Sequence, residues 1–188
     1  MIPTPDLSHL TSKDYNLVYE PAGPHLPLLD ALEADLETLK GAEPRICLEI
    51  GSGSGCVSTF FARALVLLYI CTDINPHANR ATQATGRQNR RLQRRPGGIG
   101  GAWAGGWDGM EVTNKFLEQV EGLLSENGRF YLVALKQNNV PEIRERMLQR
   151  FQLKSEIVIE RRAGREYLYI LHTSGRDRHR VDMKMWHL

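Results

Sequence analysis

Leu29, Leu32, Leu36 and Leu39 fall at i, i+3, i+7 and i+10, one face of a 3.6-residue period. They predict a helix over residues 25–40 that stops at Gly41. Residues 45–50, R-I-C-L-E-I, form a short apolar run that ends at a glycine cluster, the pattern of a strand covered on both faces. A helix follows over residues 55–64, with Val57, Phe60, Phe61 and Ala64 along one side, and then a second buried strand over 67–72. Asn75 before Pro76 has the form of an N-cap with proline at the first helical position, opening a helix towards residue 91. Periodicity fails over residues 94–109, where seven glycines and a proline predict loop. Beyond it the pattern gives a helix over 110–124, a strand over 128–135 and a helix starting at Asn139 and Pro141 and running to about residue 151. Two strands over 153–162 and 166–173 flank Ala163 and Gly164 as a hairpin. Residues 174–188 are polar and basic and read as a mobile tail.

Strands alternating with helices, followed by a hairpin, predict an α/β sandwich on a mostly parallel sheet. The chain's 188 residues suit one domain. The reading places an N-terminal segment at 1–24, the folded domain at 25–173 and the tail at 174–188. Composition, 41% hydrophobic and 24% charged, is ordinary for a soluble globular protein. A formal net charge of +2 implies neither nucleic acid nor membrane. No apolar run approaches the ~20 residues of a membrane span, and residues 1–12 lack the basic-then-apolar pattern of a signal peptide. Cys47, Cys56 and Cys71 form no C-x-x-C pair and read as buried free thiols, and the six histidines are scattered, so no metal site is predicted. Arg87, Arg90, Arg91, Arg94 and Arg95 make a basic run that reads as a solvated helix end ahead of a contact with RNA or a protein, so direct nucleic-acid binding is not expected.

The informative constellation is E-I-G-S-G-S-G, with Glu49 two positions before Gly51, then Ser52, Gly53 and Gly55, between a strand and a helix. Glycines there allow a tight turn and let a ligand approach the main chain closely. The spacing is not the G-x-x-G of a dinucleotide turn, and an acid beside it suits a ligand bearing a cationic amino group better than a pyrophosphate. Asp73 ends the next strand, where a carboxylate accepts ribose hydroxyls, and Ile74 can pack on an adenine face. The alternatives are a nicotinamide cofactor and a plain glycine turn with a capping Asp.

With Y-E-P-A at residues 19–22, the glycine motif, D-I-N-P at 73–76 and A-W-A-G-G at 102–106, the chain resembles the eukaryotic and archaeal branch of the HemK family, glutamine N5-methyltransferases that modify translation termination factors. The resemblance runs in order from about residue 15 to residue 172. It implies a Rossmann-like class I methyltransferase, a three-layer sandwich with a C-terminal antiparallel hairpin, using S-adenosyl-L-methionine. It also implies methylation of the glutamine in the Gly-Gly-Gln loop of the class-1 release factor, a small zinc-binding activator subunit, and a cytoplasmic site with the nucleus as a second compartment. Carried over, Glu49, Gly51, Ser52, Gly53 and Gly55 line the methionine end of the cofactor. Asp73 takes the ribose, Ile74 flanks the adenine, and Trp103, Gly105 and Gly106 lie in the loop near the substrate entrance.

The family holds its target amide with an Asn-Pro-Pro-Tyr motif at the end of the fourth strand, accepting both N–H bonds so that the lone pair faces the methyl. That motif does not occur in this sequence, which leaves the catalytic residues unassigned. Between residue 91 and Gly100 there is room for neither of the two strands the family has there, and one of these belongs at the centre of the sheet. The sequence therefore predicts a sheet lacking two internal strands. It carries as an alternative a truncated, inactive form that keeps only cofactor or activator binding.

Overall fold

The computed structural model describes residues 3–21, 25–65, 68–89, 110–163, 166–174 and 181–186. In chain order the elements are α1 (Ser12–Tyr15), α2 (His25–Ala34), α3 (Leu36–Gly41), β1 (Ile46–Ile50), α4 (Cys56–Ala64), β2 (Leu68–Thr72) and α5 (Pro76–Gln88). Then come α6 (Glu111–Leu117), α7 (Val120–Leu123), β3 (Leu124–Leu135), α8 (Val140–Phe151), β4 (Ser155–Ala163), β5 (Glu166–Ser174) and β6 (Val181–Trp186).

The six strands form one sheet in the order β2-β1-β6-β3-β5-β4. β1 pairs in parallel with β2 and with β6, and β3 pairs in parallel with β6, while β5 runs antiparallel to both β3 and β4. The expected C-terminal hairpin is therefore present. β3 is covered on both faces by alternating side chains. Tyr131 and Val133 enter the core made with α2 and α4, and Phe130, Leu132 and Ala134 enter the core made with α6, α7 and α8. This alternation gives the sandwich its three layers.

Three features differ from the sequence reading. The tail was expected to be free and the centre of the sheet to lack a strand. Instead Val181–Trp186 occupies that central place, pairing Cys47↔Met183 through Ile50↔Trp186 on one side and Arg129↔Met183 through Leu132↔Trp186 on the other. Unpaired backbone at the middle of a covered sheet costs about 1–3 kcal/mol per group, and the tail strand relieves it. The helix predicted over 25–40 is broken at Asp35, whose carboxylate accepts a 2.5 Å hydrogen bond from the hydroxyl of the buried Tyr131. The helix predicted over 110–124 is two short helices, α6 and α7, separated at Glu118 and Gln119.

β3 also carries an excursion. The five steps from Leu124 to Arg129 advance the ladder by only two positions on β6, from Val181 to Met183, so residues 125–128 bulge out. Gly128 closes this bulge, and a Cβ there would lie 2.8 Å from the Ser125 nitrogen and 2.9 Å from its carbonyl oxygen. Replacing Gly128 by Ala should destabilise the chain by roughly 1–3 kcal/mol. Gly41→Ala, where nothing lies within 4 Å, should be neutral or stabilising by up to ~1 kcal/mol. Urea unfolding of the two variants beside the parent checks both, and equal midpoints would contradict the tight-bulge account.

Candidate functional site

β1 buries alternate residues, Cys47 and Glu49, against α4, and its last residue delivers the chain into the glycine turn. Gly51, Gly53 and Gly55 have φ of +82°, +53° and +75°, all left-handed, the backbone conformation that L side chains rarely adopt. The turn is tied to the end of β2 by Gly51 N and Ser52 N, which both donate to the Thr72 carbonyl at 2.8 and 3.2 Å. Asp73 then clasps it. One carboxylate oxygen accepts from Gly53 N at 2.8 Å and the other from Asn75 N at 2.8 Å. The predicted cap is present, since Asn75 Oδ1 accepts from His77 N at 2.9 Å, and the Asn75 amide donates to the Leu17 carbonyl, drawing the N-terminal segment onto α5.

The glycines serve two purposes. Gly51 and Gly53 shape the open side of the turn. Gly55 is fixed from behind, because a Cβ there would lie 2.6 Å from the Thr82 Cα. Thr82 and Thr85 of α5 were not foreseen as site residues, yet they brace the turn. The Thr82 hydroxyl lies 2.9 Å from Ser52 Oγ and 3.2 Å from the Gly53 carbonyl, and Thr85 Oγ1 donates to the Ser54 carbonyl at 2.6 Å. Asn79 donates to the Asp73 carbonyl at 3.0 Å. The sequence signal for this face was Ala78, Ala81, Thr82, Thr85 and Gly86, small residues at helical spacing, all buried.

Electrostatics separate the two predicted carboxylates. Glu49 is completely buried beneath the turn. Burial, with the Asp73 charge adding to it, raises its carboxyl from its ordinary value to about 8, and hydrogen bonds with the Ser58 and Tyr69 hydroxyls only partly offset this. Asp73, by contrast, stands at the rim beside Ile74, which is 46% exposed. The three cysteines are free. Burial holds all three thiols protonated, Cys56 with a value pushed up to about 12. Among the described residues no group of three or more His, Cys, Asp or Glu is placed to hold a metal ion, and no helix is long and apolar enough to cross a membrane. Trp103, Gly105, Gly106 and most of the arginine run lie outside the described residues.

The structure thus brings Gly51, Ser52, Gly53, Gly55, Asp73 and Ile74 together at the C-terminal ends of β1 and β2, with Glu49 underneath. A polar cavity of about 310 Å³ among Thr38, Asn127, Arg129 and Ser174 lies at the opposite end of the sheet, away from this chemistry. The cradle offers main chain open to close approach, a carboxylate with lone pairs to spare for hydroxyl donors, and an exposed aliphatic side chain for a flat ring.

Comparison with known proteins agrees with this geometry. The chain is 39% identical over 210 residues to the Mus musculus protein named methyltransferase HEMK2, covering 92% of this chain and 97% of that one. It is 34% identical to the Schizosaccharomyces pombe eRF1 methyltransferase catalytic subunit mtq2, with 91% and 95% covered. The matched spans, 210 and 220 residues, exceed the 188 residues of this chain, so the relatives carry internal segments without a counterpart here. No family model matches. Among solved structures, the E. cuniculi Mtq2–Trm112 complex, described as responsible for methylation of the eRF1 translation termination factor, superposes with a TM-score of 0.57 at 22% identity over 84% of this chain and 98% of that one. A Pyrococcus furiosus methyltransferase gives 0.58 at 19% identity over 84% of this chain and 87% of that one. Both share the class I methyltransferase fold, and on identity and coverage the chain belongs to the HEMK2/Mtq2 family of methyltransferases.

Proposed function

We propose that the chain is an S-adenosyl-L-methionine-dependent protein methyltransferase. Its target is the glutamine side-chain amide in the Gly-Gly-Gln loop of the class-1 release factor, and it works as a heterodimer with a small zinc-binding activator subunit. The observation that carries the reading is the three-glycine left-handed turn clasped by Asp73, in a chain whose relatives are named HEMK2 and eRF1 methyltransferase catalytic subunit. When bound, the cofactor supplies a methyl group on a sulfonium sulfur, electrophilic enough for an amide nitrogen. The chain's own residues bind and orient. Asp73 spends one lone pair of each oxygen on Gly53 and Asn75, and its remaining acceptor capacity suits the two ribose hydroxyls. Ile74 covers the adenine. Glu49, whose carboxyl burial raises to about 8, would lie beneath the methionine end, where a cationic amino group would favour its ionised form, the proton passing to solvent.

No Asn-Pro-Pro-Tyr occurs in the chain, so transfer requires other acceptors for the target amide's N–H groups. Purified chain, activator and release factor incubated with methyl-labelled cofactor should place label on the Gly-Gly-Gln glutamine. Cofactor binding without transfer would overturn the catalytic half of the proposal.

Two binding predictions follow from the geometry. Asp73→Ala should weaken S-adenosylhomocysteine binding by ~10–100-fold, about 1.4–2.8 kcal/mol. Gly55→Ala, which forces a Cβ into the Thr82 backbone, should weaken it at least as much. Calorimetric affinities within a factor of two of the parent would refute the assignment.

The third concerns pH. The folded state binds the Glu49 proton more tightly than the unfolded chain does, with a value of about 8 against about 4.5. This residue's contribution therefore lowers stability progressively as pH rises between those values and is constant outside them. Thermal melts of Glu49→Gln should lose that part of the decline. Cofactor binding at pH 7 should release a proton in the parent and none from this site in the variant, read by calorimetry in buffers of different ionisation enthalpy.

A further inference from the structure

We infer that the C-terminal strand positions the cofactor cradle: residues 181–186 hold the end of β1 in place, and ligand affinity depends on them. The inference rests on the proposed cofactor reading and extends it to a segment that the sequence reading left as tail.

The argument is topological. Among the described strands β1 has two neighbours, β2 and β6, and β3 has two, β5 and β6. The ladder joining the β2-β1 half of the sheet to the β3-β5-β4 half therefore runs through β6 alone. Ile50, the residue before Gly51, is paired with Thr72 on one side and Trp186 on the other. Thr72 is also the residue whose carbonyl receives Gly51 and Ser52. The take-off point of the glycine turn is thus clamped between β2 and the chain's last strand. Without β6, one edge of β1 is released and the turn keeps only its ties to the β2 end and α5.

The strand that does this is an unusual one. Central strands of parallel sheets read as near-continuous apolar runs, whereas V-D-M-K-M-W places Asp182 and Lys184 among six residues. Main-chain pairing to both neighbours, rather than an apolar sequence, has to hold it. Residues 181–186 are also reached from the end of β5 through only residues 175–180. Ser174 pairs with Arg129, and Arg129 pairs on its other side with Met183, so the end of β5 and the start of β6 flank the same residue of β3.

The test uses the full-length chain with S-adenosylhomocysteine as the probe. Met183→Pro removes a main-chain donor and sets a ring inside the central ladder, and should weaken binding at least tenfold. Arg176→Pro, outside the strand, should stay within twofold. Because Met183→Pro can fail to fold, hydrogen exchange on the unaltered chain provides the second readout. The amides of residues 183–186 should be protected like those of Ile46–Ile50, and added S-adenosylhomocysteine should slow both sets together. Exchange of residues 183–186 at the rate of an unstructured peptide, or unchanged affinity in Met183→Pro, overturns the inference. Should the unaltered chain bind no S-adenosylhomocysteine at all, the cofactor reading falls, and the exchange rates alone then decide whether the strand is in place.

Discussion

The demand that every buried peptide group be paired governs this molecule more than any single side-chain contact. β3 is covered on both faces, where water cannot satisfy an unpaired peptide group, so its edge facing β1 needs a strand beside it. β6 fills that place from the end of the chain, and everything at the functional end of the sheet inherits its position from that pairing. The register sets Trp186 opposite both Ile50, the last residue of β1, and Leu132, three residues before the end of β3. The glycine turn leaves the sheet at that level.

Above the sheet the turn is held by short-range geometry. A helix and a loop can approach closely only where neither carries bulk at the contact, and here the loop supplies Gly55 while α5 supplies Thr82 with its Cα almost touching. Thr82 and Thr85 return hydrogen bonds to Ser52, Gly53 and Ser54, converting proximity into a fixed shape. Asp73 completes the arrangement from the end of β2. Its carboxylate binds the main chain of the turn and of the following cap at once, which ties the cradle to the start of α5. Pre-organisation of this kind spares a ligand the cost of ordering the loop itself.

What the sequence made legible was local. β1, α4, β2, the Asn75 cap and the terminal hairpin each announce themselves through periodicity or turn chemistry within a dozen residues, and the structure has all of them within a few residues of their predicted bounds, although β2, read as buried, is an edge strand with Leu68 and Ile70 exposed. The glycine motif and Asp73 were legible because a left-handed turn and a strand-end acid leave type-specific traces. What escaped depends on distant partners. The division at Asp35, whose carboxylate takes the hydroxyl of Tyr131 96 residues away, leaves no trace in the local leucine period. The bracing threonines act on residues about 30 positions earlier. The tail strand escaped because V-D-M-K-M-W lacks the apolar continuity by which central strands are recognised. Its place is defined by the edges of β1 and β3 rather than by its own composition. The sequence did show where the sheet was short of a strand, and it showed a tail without an assigned role, but no local pattern connects the two.

The two acids of the cradle stand in different surroundings. Asp73 sits at the rim with both oxygens engaged by main-chain donors, an arrangement that serves a carboxylate as acceptor. Glu49, only two residues before the turn, faces the layer between sheet and α4, where desolvation raises its carboxyl to about 8. Were both charged and ligand-free, their repulsion would act across the turn that Asp73 ties down. With Glu49 neutral, that repulsion is absent from the free protein. A nucleoside with hydroxyls at one end and an ammonium at the other matches this polarity. A pyrophosphate would raise rather than relieve the cost of ionising Glu49 beneath the turn, so it matches this arrangement less well.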